Sequence, residues 1–232
     1  MTLLTICRDV ATDMGIVPPT GIIGNQAVDA RRLLRFAQRV GRDLAMRAPW
    51  QALRRQHVFT ATATEVQANA VPSDFLYFSP ETLWDRTNER SITGPVSPTE
   101  YQSRRITAGE TGTQRWFTRR GNDLLIWPIM GGGETLAFEY QSNSFCQSSS
   151  LTPQSAWLAD SDTGRISEEL ITLGMIARFL EAEGQPFVLP RAEFERRLAI
   201  EIRADAPDAR VLQAADLFGG GRRFGGAPGD EA

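Results

Sequence analysis

Lysine is absent from this sequence, and all 25 basic residues are arginines. A standard phosphate-binding P-loop needs lysine, so that class of nucleotide site is excluded. The one histidine, His57, has no cysteine or second histidine at a spacing suited to a metal site or a thiol dyad. No apolar run approaches the roughly 20 residues that span a bilayer. The first residues lack the basic region of a signal peptide, so none is predicted.

Cysteine is also scarce, and Cys7 and Cys146 are its only occurrences. Two cysteines cannot form a disulfide-rich scaffold, and we expect free thiols in a reducing cytoplasm. The motifs of serine hydrolases and zinc proteases are missing. Asp160 and Asp162 have two interpretations, a cation or acid–base pair and ordinary turn formers. The sequence therefore predicts no catalytic residues, no cofactor and no metal site.

The order of patterns along the chain predicts an α+β protein. Helical periodicity covers residues 3–14 and 28–48, and returns from residue 167 onward. Between them, the segments 115–119 and 123–127 flank Gly121-Asn122, which indicates a β-hairpin. We predict four regions: N-terminal helices (1–54), an antiparallel β domain with a short helix near 98–104 (55–145), C-terminal helices (146–216) and a flexible glycine-rich tail (217–232).

Arg31, Arg35, Arg39 and Arg42 recur at steps of three and four within the second predicted helix. We call these four residues the arginine stripe. One interpretation is a solvated face with pairs to acids of neighbouring helices. The other is a contact to an acidic partner subunit or to DNA in a channel. The net charge of -3 requires any DNA contact to come from such a local patch.

The tail holds six glycines in sixteen residues and has few apolar groups to offset the cost of ordering it. Plain disorder is one interpretation, and a strand or clamp that orders on a neighbouring protein is the other. The candidate docking residues are Leu217, Phe218, Arg222, Arg223 and Phe224.

Aromatic residues are frequent in the predicted β region. Most are expected in the core, and some are candidates for subunit interfaces, where tryptophan and tyrosine are enriched. They are Phe75, Tyr77, Phe78, Trp84, Trp116 and Trp127.

Three segments carry a resemblance to a known family. Residues 71–78, VPSDFLYF, followed by Leu83-Trp84-Asp85-Arg86, look like the recurrent strand-turn segment of head-to-tail adaptor proteins from podoviruses and related prophages. Residues 135–142 are similar to a later strand of that family. Residues 162–170 resemble the start of its C-terminal helical half. The resemblance covers residues 1–205, and its motifs are structural.

The resemblance implies a helical bundle, built from N- and C-terminal helices, with an inserted antiparallel β domain. It also implies a non-enzymatic virion protein at the head–tail junction of a short-tailed phage, assembled in the host cytoplasm. The implied partners are copies of itself in a twelve-subunit ring, the portal protein, the tail nozzle protein and packaged DNA in the channel, with no membrane. In this family the C-terminal segment often contacts the portal.

Three other functions stay open from the sequence. They are a receptor-binding or baseplate-like tail protein, a cell-wall hydrolase and a free DNA-binding protein. Long β runs and repeats would favour the first and are missing. The net charge disfavours the last.

Overall fold

Helices begin and end the described chain. The structure is a computed structural model that describes residues 1–107 and 112–206. These two ranges contain five helices: α1 (Leu3–Asp13), α2 (Val28–Arg47), α3 (Pro98–Thr107), α4 (Glu168–Ala182) and α5 (Val188–Asp205). None of the helices within these ranges is long and apolar enough to cross a membrane.

Helix α1 forms because its apolar residues recur on one face. Leu3, Ile6, Cys7 and Val10 are all buried, at the spacing expected for an amphipathic helix. The Thr2 hydroxyl caps the helix by accepting a hydrogen bond from the Thr5 backbone N–H.

Helix α2 starts at Val28, where the sequence predicts it, and its N-cap residue supplies no side-chain hydrogen bond. Ala27 occupies the N-cap position. The side chain of Asn25 instead accepts a hydrogen bond from the backbone N–H of Ala27. Asn25 therefore shapes the turn that precedes the helix.

Helices α1, α2, α4 and α5 share one hydrophobic core. The crossing of α2 and α4 is close, because a Cβ placed on Gly174 would lie 2.8 Å from Val40. Gly41 of α2 lies directly against the ring of Phe145. These two glycines let the helices and the segment after the sheet approach one another.

Eleven strands form two sheets within the described residues. They are β1 (Arg54–Thr60), β2 (Val66–Gln67), β3 (Phe75–Phe78), β4 (Trp84–Asp85), β5 (Arg90–Thr93), β6 (Arg115–Arg120), β7 (Asp123–Trp127), β8 (Thr135–Ser142), β9 (Cys146–Gln147), β10 (Pro153–Gln154) and β11 (Thr163–Gly164). The large sheet has eight strands in the order β1-β8-β4-β5-β6-β7-β2, with β3 paired to β8 beside β4. The small sheet has the order β10-β9-β11.

The predicted hairpin is confirmed as β6 and β7. Arg120 pairs with Asp123 across the turn, and Gly121 has a φ of +64°, which glycine adopts without steric cost. A second hydrophobic core fills the inside of the curled sheet and contains Leu136 and Phe138 of β8.

The predicted fold class is wrong. A large, curled, mixed sheet of eight strands, shaped like half a barrel, makes up most of the structure, with five helices; it is not a helical bundle that carries an inserted antiparallel β domain. Strands β5 and β6 run parallel, with Ile92 opposite Arg115. Strands β2 and β4 are two residues long, too short for the alternation that identifies a strand in a sequence. Pairing between distant segments decides this architecture.

The segment between β8 and α4 contains three short strands. They are β9, β10 and β11. A bridge from Thr2 to Thr163 joins this region to the start of the chain. These strands are as short as β2 and leave no periodic signal.

Candidate assembly surfaces

The arginine stripe lies on the outer face of α2, opposite the buried residues Leu33, Ala37 and Leu44. All four arginines are exposed. At 1.5 Å of rise per residue the stripe is about 17 Å long. Val28 and Met46, which are 63% and 62% exposed, continue the same face at its two ends. The stripe is therefore a positive surface with an exposed apolar residue at each end.

None of the four stripe arginines makes an ion pair with any residue the structure describes, whereas their neighbours on α2 do. Arg32 pairs with Glu183, the C-cap residue of α4. Arg47 lies 2.7 Å from Glu195 of α5 and 3.2 Å from Asp43. Burial alone would lower the pKa of Arg47, but the hydrogen bonds and charges of these two acids outweigh it and raise the pKa. The intramolecular ion pairs of α2 are therefore made by arginines outside the stripe, and the stripe itself faces solvent.

A second exposed surface lies on the outer face of the large sheet. Val58 of β1 and Trp84 of β4 both lie opposite Ala137 of β8, and Ser91 of β5 lies opposite Trp84. Residues directly opposite each other share a face of the sheet. Val58 is 45% exposed and Trp84 is 48% exposed. No described element covers this row.

Two residues of this row, Ala137 and Trp84, line a groove of about 530 Å³, which we call the Trp84 groove. It is lined by Gln56, Glu81, Thr82, Trp84, Asp85, Arg86, Glu89, Ala137 and Glu139. Four of these nine residues are acidic and one is basic, so the groove is negative.

The acidic residues of the groove have different local roles. Asp85 is fully buried and accepts hydrogen bonds from the backbone N–H groups of Thr87 and Asn88, which shapes the turn after β4. Glu81 and Glu89 are exposed, have φ angles of +56° and +54°, and make no ion pair within the described residues. Their carboxylates are available to a partner.

Residues 71–78, the first segment of the family resemblance, contain β3; we call them the resemblance segment. Strand β3 pairs only with β8 among the described strands. An apolar groove of about 540 Å³ runs beside β3, and its lining includes Phe75, Tyr77 and Pro95. The guanidinium of Arg119 lies 4.5 Å from the centre of the Phe75 ring. Tyr77 and Phe78 are half-buried, as is Trp116, whereas Trp127 is buried.

Asp74 fixes the turn before β3. Its carboxylate accepts hydrogen bonds from Tyr140, Ser142 and Arg55 at 2.9, 2.9 and 2.8 Å. Burial alone would raise the pKa of Asp74, but these donors outweigh it and hold the pKa below its usual value. Burial, followed by the bond to Asp74, raises the pKa of Tyr140 to about 12. The bonds hold the resemblance segment on β8.

His57 lies on β1, an edge strand of the large sheet. Its ring stacks on Phe59 at 5.9 Å and packs against Phe138 at 5.4 Å. Burial lowers the pKa of His57, and the charge of Asp74 only partly offsets that effect. The ring belongs to the packing of the second core.

The cysteines are buried and free. Burial is the main cause that raises the pKa of each thiol, Cys7 and Cys146, to about 12. A thiolate is the reactive form of cysteine, so both are inert at neutral pH.

Asp160 and Asp162 stabilise the loops around them through hydrogen bonds to backbone N–H groups. Asp160 accepts hydrogen bonds from the backbone of Ile22 and Ile23. Asp162 accepts them from Leu158 and Ala159. The turn interpretation is therefore the one that the structure supports. The described ranges 1–107 and 112–206 contain no cluster of three histidine, cysteine or acidic residues arranged for a metal ion.

The docking candidates of the tail, Leu217, Phe218, Arg222, Arg223 and Phe224, lie outside the described residues. Sequence reasoning missed the Trp84 groove, although Trp84 was among the candidate interface aromatics. The missing information is the register of β8, which brings Val58 and Trp84 to the same face. No pattern in the sequence indicates this register.

No curated protein matches this chain. The family model described as SU10 adaptor protein matches residues 1–215. That span contains both candidate surfaces and all the described elements. Because the match covers most of the sequence, this chain belongs to the SU10 adaptor protein family, a family of phage head-to-tail adaptors.

Proposed function

We propose that this chain is the head-to-tail adaptor of a short-tailed phage. In this proposal twelve copies form a ring that joins the portal protein to the tail nozzle and surrounds the DNA channel. Family membership supports a structural role in the virion at the head–tail junction, in contact with other head and tail proteins. The ring, its twelve subunits and the short tail go beyond family membership and are what we propose.

The observation that carries the ring is the arginine stripe. Arg31, Arg35 and Arg39 are spaced four residues apart, and like charges at that spacing destabilise a helix by about 0.2–0.5 kcal/mol per pair. The flanking arginines of α2 have intramolecular acid partners, so acids are within reach of this helix. A row of exposed arginines without such partners is therefore best explained by a negative surface outside the chain.

The mechanism is mechanical and needs no bond to be made or broken. Subunit surfaces that fit one another close the ring, and charged groups contribute mainly to the choice and orientation of partners. We propose the arginine stripe as the contact to a neighbouring subunit or to DNA. We propose the tail residues Leu217, Phe218, Arg222, Arg223 and Phe224 as the portal contact.

The test is a phage in which the gene for this chain carries an early stop codon. We expect DNA-filled heads and free tail parts that do not join, visible by electron microscopy. Purified protein added to that lysate restores joined particles. Joined, infectious particles formed without the protein would contradict the proposed function.

A further inference from the structure

We propose that the arginine stripe of one copy binds the Trp84 groove of the next copy. This inference rests on the proposed function, because it identifies the contact by which the ring closes. It also selects a neighbouring subunit over DNA as the partner of the stripe.

The stripe and the groove lie on different elements, α2 and the outer face of the large sheet. A contact between two different surfaces of the same protein is heterologous: every copy offers one surface to the copy before it and the other to the copy after it. Contacts of this kind generate a closed ring when the rotation between copies closes. Two equivalent faces would instead form only a dimer.

Charge is complementary between the two surfaces. The stripe offers four exposed guanidinium groups that make no ion pair in the described part of the chain. The groove offers Glu81 and Glu89, which are equally free, and Glu139, whose closest cation, Arg54, is 4.0 Å away. Arginine suits such contacts because its planar group meets a carboxylate with two hydrogen bonds.

Trp84 adds a second reason for an arginine partner. Among the residues that the structure describes, five arginines lie 4.5–5.5 Å from the centre of an aromatic ring. Tryptophan is the best ring for this interaction. Within residues 1–107 and 112–206, Trp84 has no such arginine and is 48% exposed. A stripe arginine from the next copy would supply the missing cation.

Apolar contact completes the match. Val28 and Met46 lie at the ends of the stripe, and Val58 lies across Ala137 from Trp84 on the same face of the sheet. All are large, apolar and exposed in the single chain. Val28, Met46, Val58 and Trp84 would supply apolar surface to both sides of the contact, next to its charged groups.

The experiment is an exchange of charge between the two surfaces. One variant carries R35E and R39E, and a second carries E81R and E89R. A third carries all four changes. The control is R196E with R203E, two exposed arginines of α5 that make no ion pair within the described residues. Self-association of the full chain is measured by sedimentation velocity over a range of concentrations, and thermal unfolding verifies that each variant is folded.

We expect each of the first two variants to lose self-association by on the order of 30-fold or more, because like charges then face each other. The third variant and a mixture of the first two both regain it, and the control associates like the natural chain. Self-association that survives either reversal, or that the third variant fails to regain, would overturn the proposal. A stripe reversal that weakens only the binding of duplex DNA would overturn it in favour of DNA.

Binding of the same variants to portal protein separates this inference from the proposed function. If reversal leaves self-association intact and the portal still binds, the stripe–groove contact is wrong and the adaptor role stands. If the natural chain binds neither itself nor the portal, both are wrong.

Discussion

The Tyr140 hydroxyl donates a 2.9 Å hydrogen bond to the Asp74 carboxylate. This bond ties the turn before β3 to β8, the strand that also pairs with β1 and β4. The resemblance segment and the Trp84 groove therefore depend on the same strand for their positions.

Replacing Asp74 with alanine should lower the free energy of unfolding by about 2–3 kcal/mol, because several donors lose a charged acceptor. The folded pKa of Asp74 is lowered, so its contribution is present above the unfolded pKa of about 3.9 and is lost as the pH falls through the folded value. Urea unfolding at pH 7 measures the loss of stability in D74A, and urea unfolding below the unfolded pKa measures how that loss shrinks with pH. Asp13, exposed on α1, provides a control, D13A, that should change little. Equal losses in the two variants would contradict the role of Asp74.

Protonation of His57 should destabilise the fold below pH 6.5. The folded pKa of His57 is lowered, so the unfolded chain binds the proton first, and stability falls as the pH drops from the unfolded value toward the folded one. The variant H57F keeps an aromatic ring packed against Phe59 and Phe138 and cannot be protonated. Its melting temperature should fall less than that of the natural chain between pH 7.5 and pH 5.5. Parallel curves would show that His57 does not contribute.

Replacing Gly41 with alanine should destabilise the protein by about 1–3 kcal/mol through overpacking. The added Cβ would lie 2.3 Å from the Phe145 ring. Helix propensity alone predicts that G41A stabilises the protein, since alanine in a helix is more favourable than glycine by about 1 kcal/mol. Thermal unfolding of G41A therefore separates packing from propensity. M46A, at an exposed position of the same helix, should leave stability nearly unchanged, and a more stable G41A would contradict this contact.

Removal of residues 217–232 should abolish binding to the portal and leave self-association intact. The stripe and the groove both precede the deletion, and the proposed portal contacts lie within it. Co-sedimentation with purified portal protein measures the first property, and sedimentation velocity of the truncated chain measures the second. Undiminished portal binding would exclude the tail from that contact.

The sequence predicts those elements that are long enough to repeat their periodic pattern of apolar residues several times. Eleven residues of α1 and twenty of α2 show their buried faces directly, and Gly121-Asn122 marks its hairpin. The sheet order has no such signal, because β2 and β4 contribute two residues each, and the parallel pair β5–β6 joins segments separated by α3. The domain boundaries at residues 54, 145 and 216 stay a prediction.

The candidate surfaces are also only partly predictable from the sequence. The spacing of Arg31, Arg35, Arg39 and Arg42 predicts a shared helix face, which α2 confirms. Their lack of acid partners depends on where α4 and α5 place Glu183 and Glu195. The Trp84 groove depends on strand register, which the sequence does not reveal.

Electron microscopy of the purified chain mixed with the portal protein of the same phage tests the central claim most directly. We predict a closed ring of this chain stacked on the axis of the portal ring, with twelve copies in its averaged end view. Portal rings that stay bare beside a monomeric chain would contradict it.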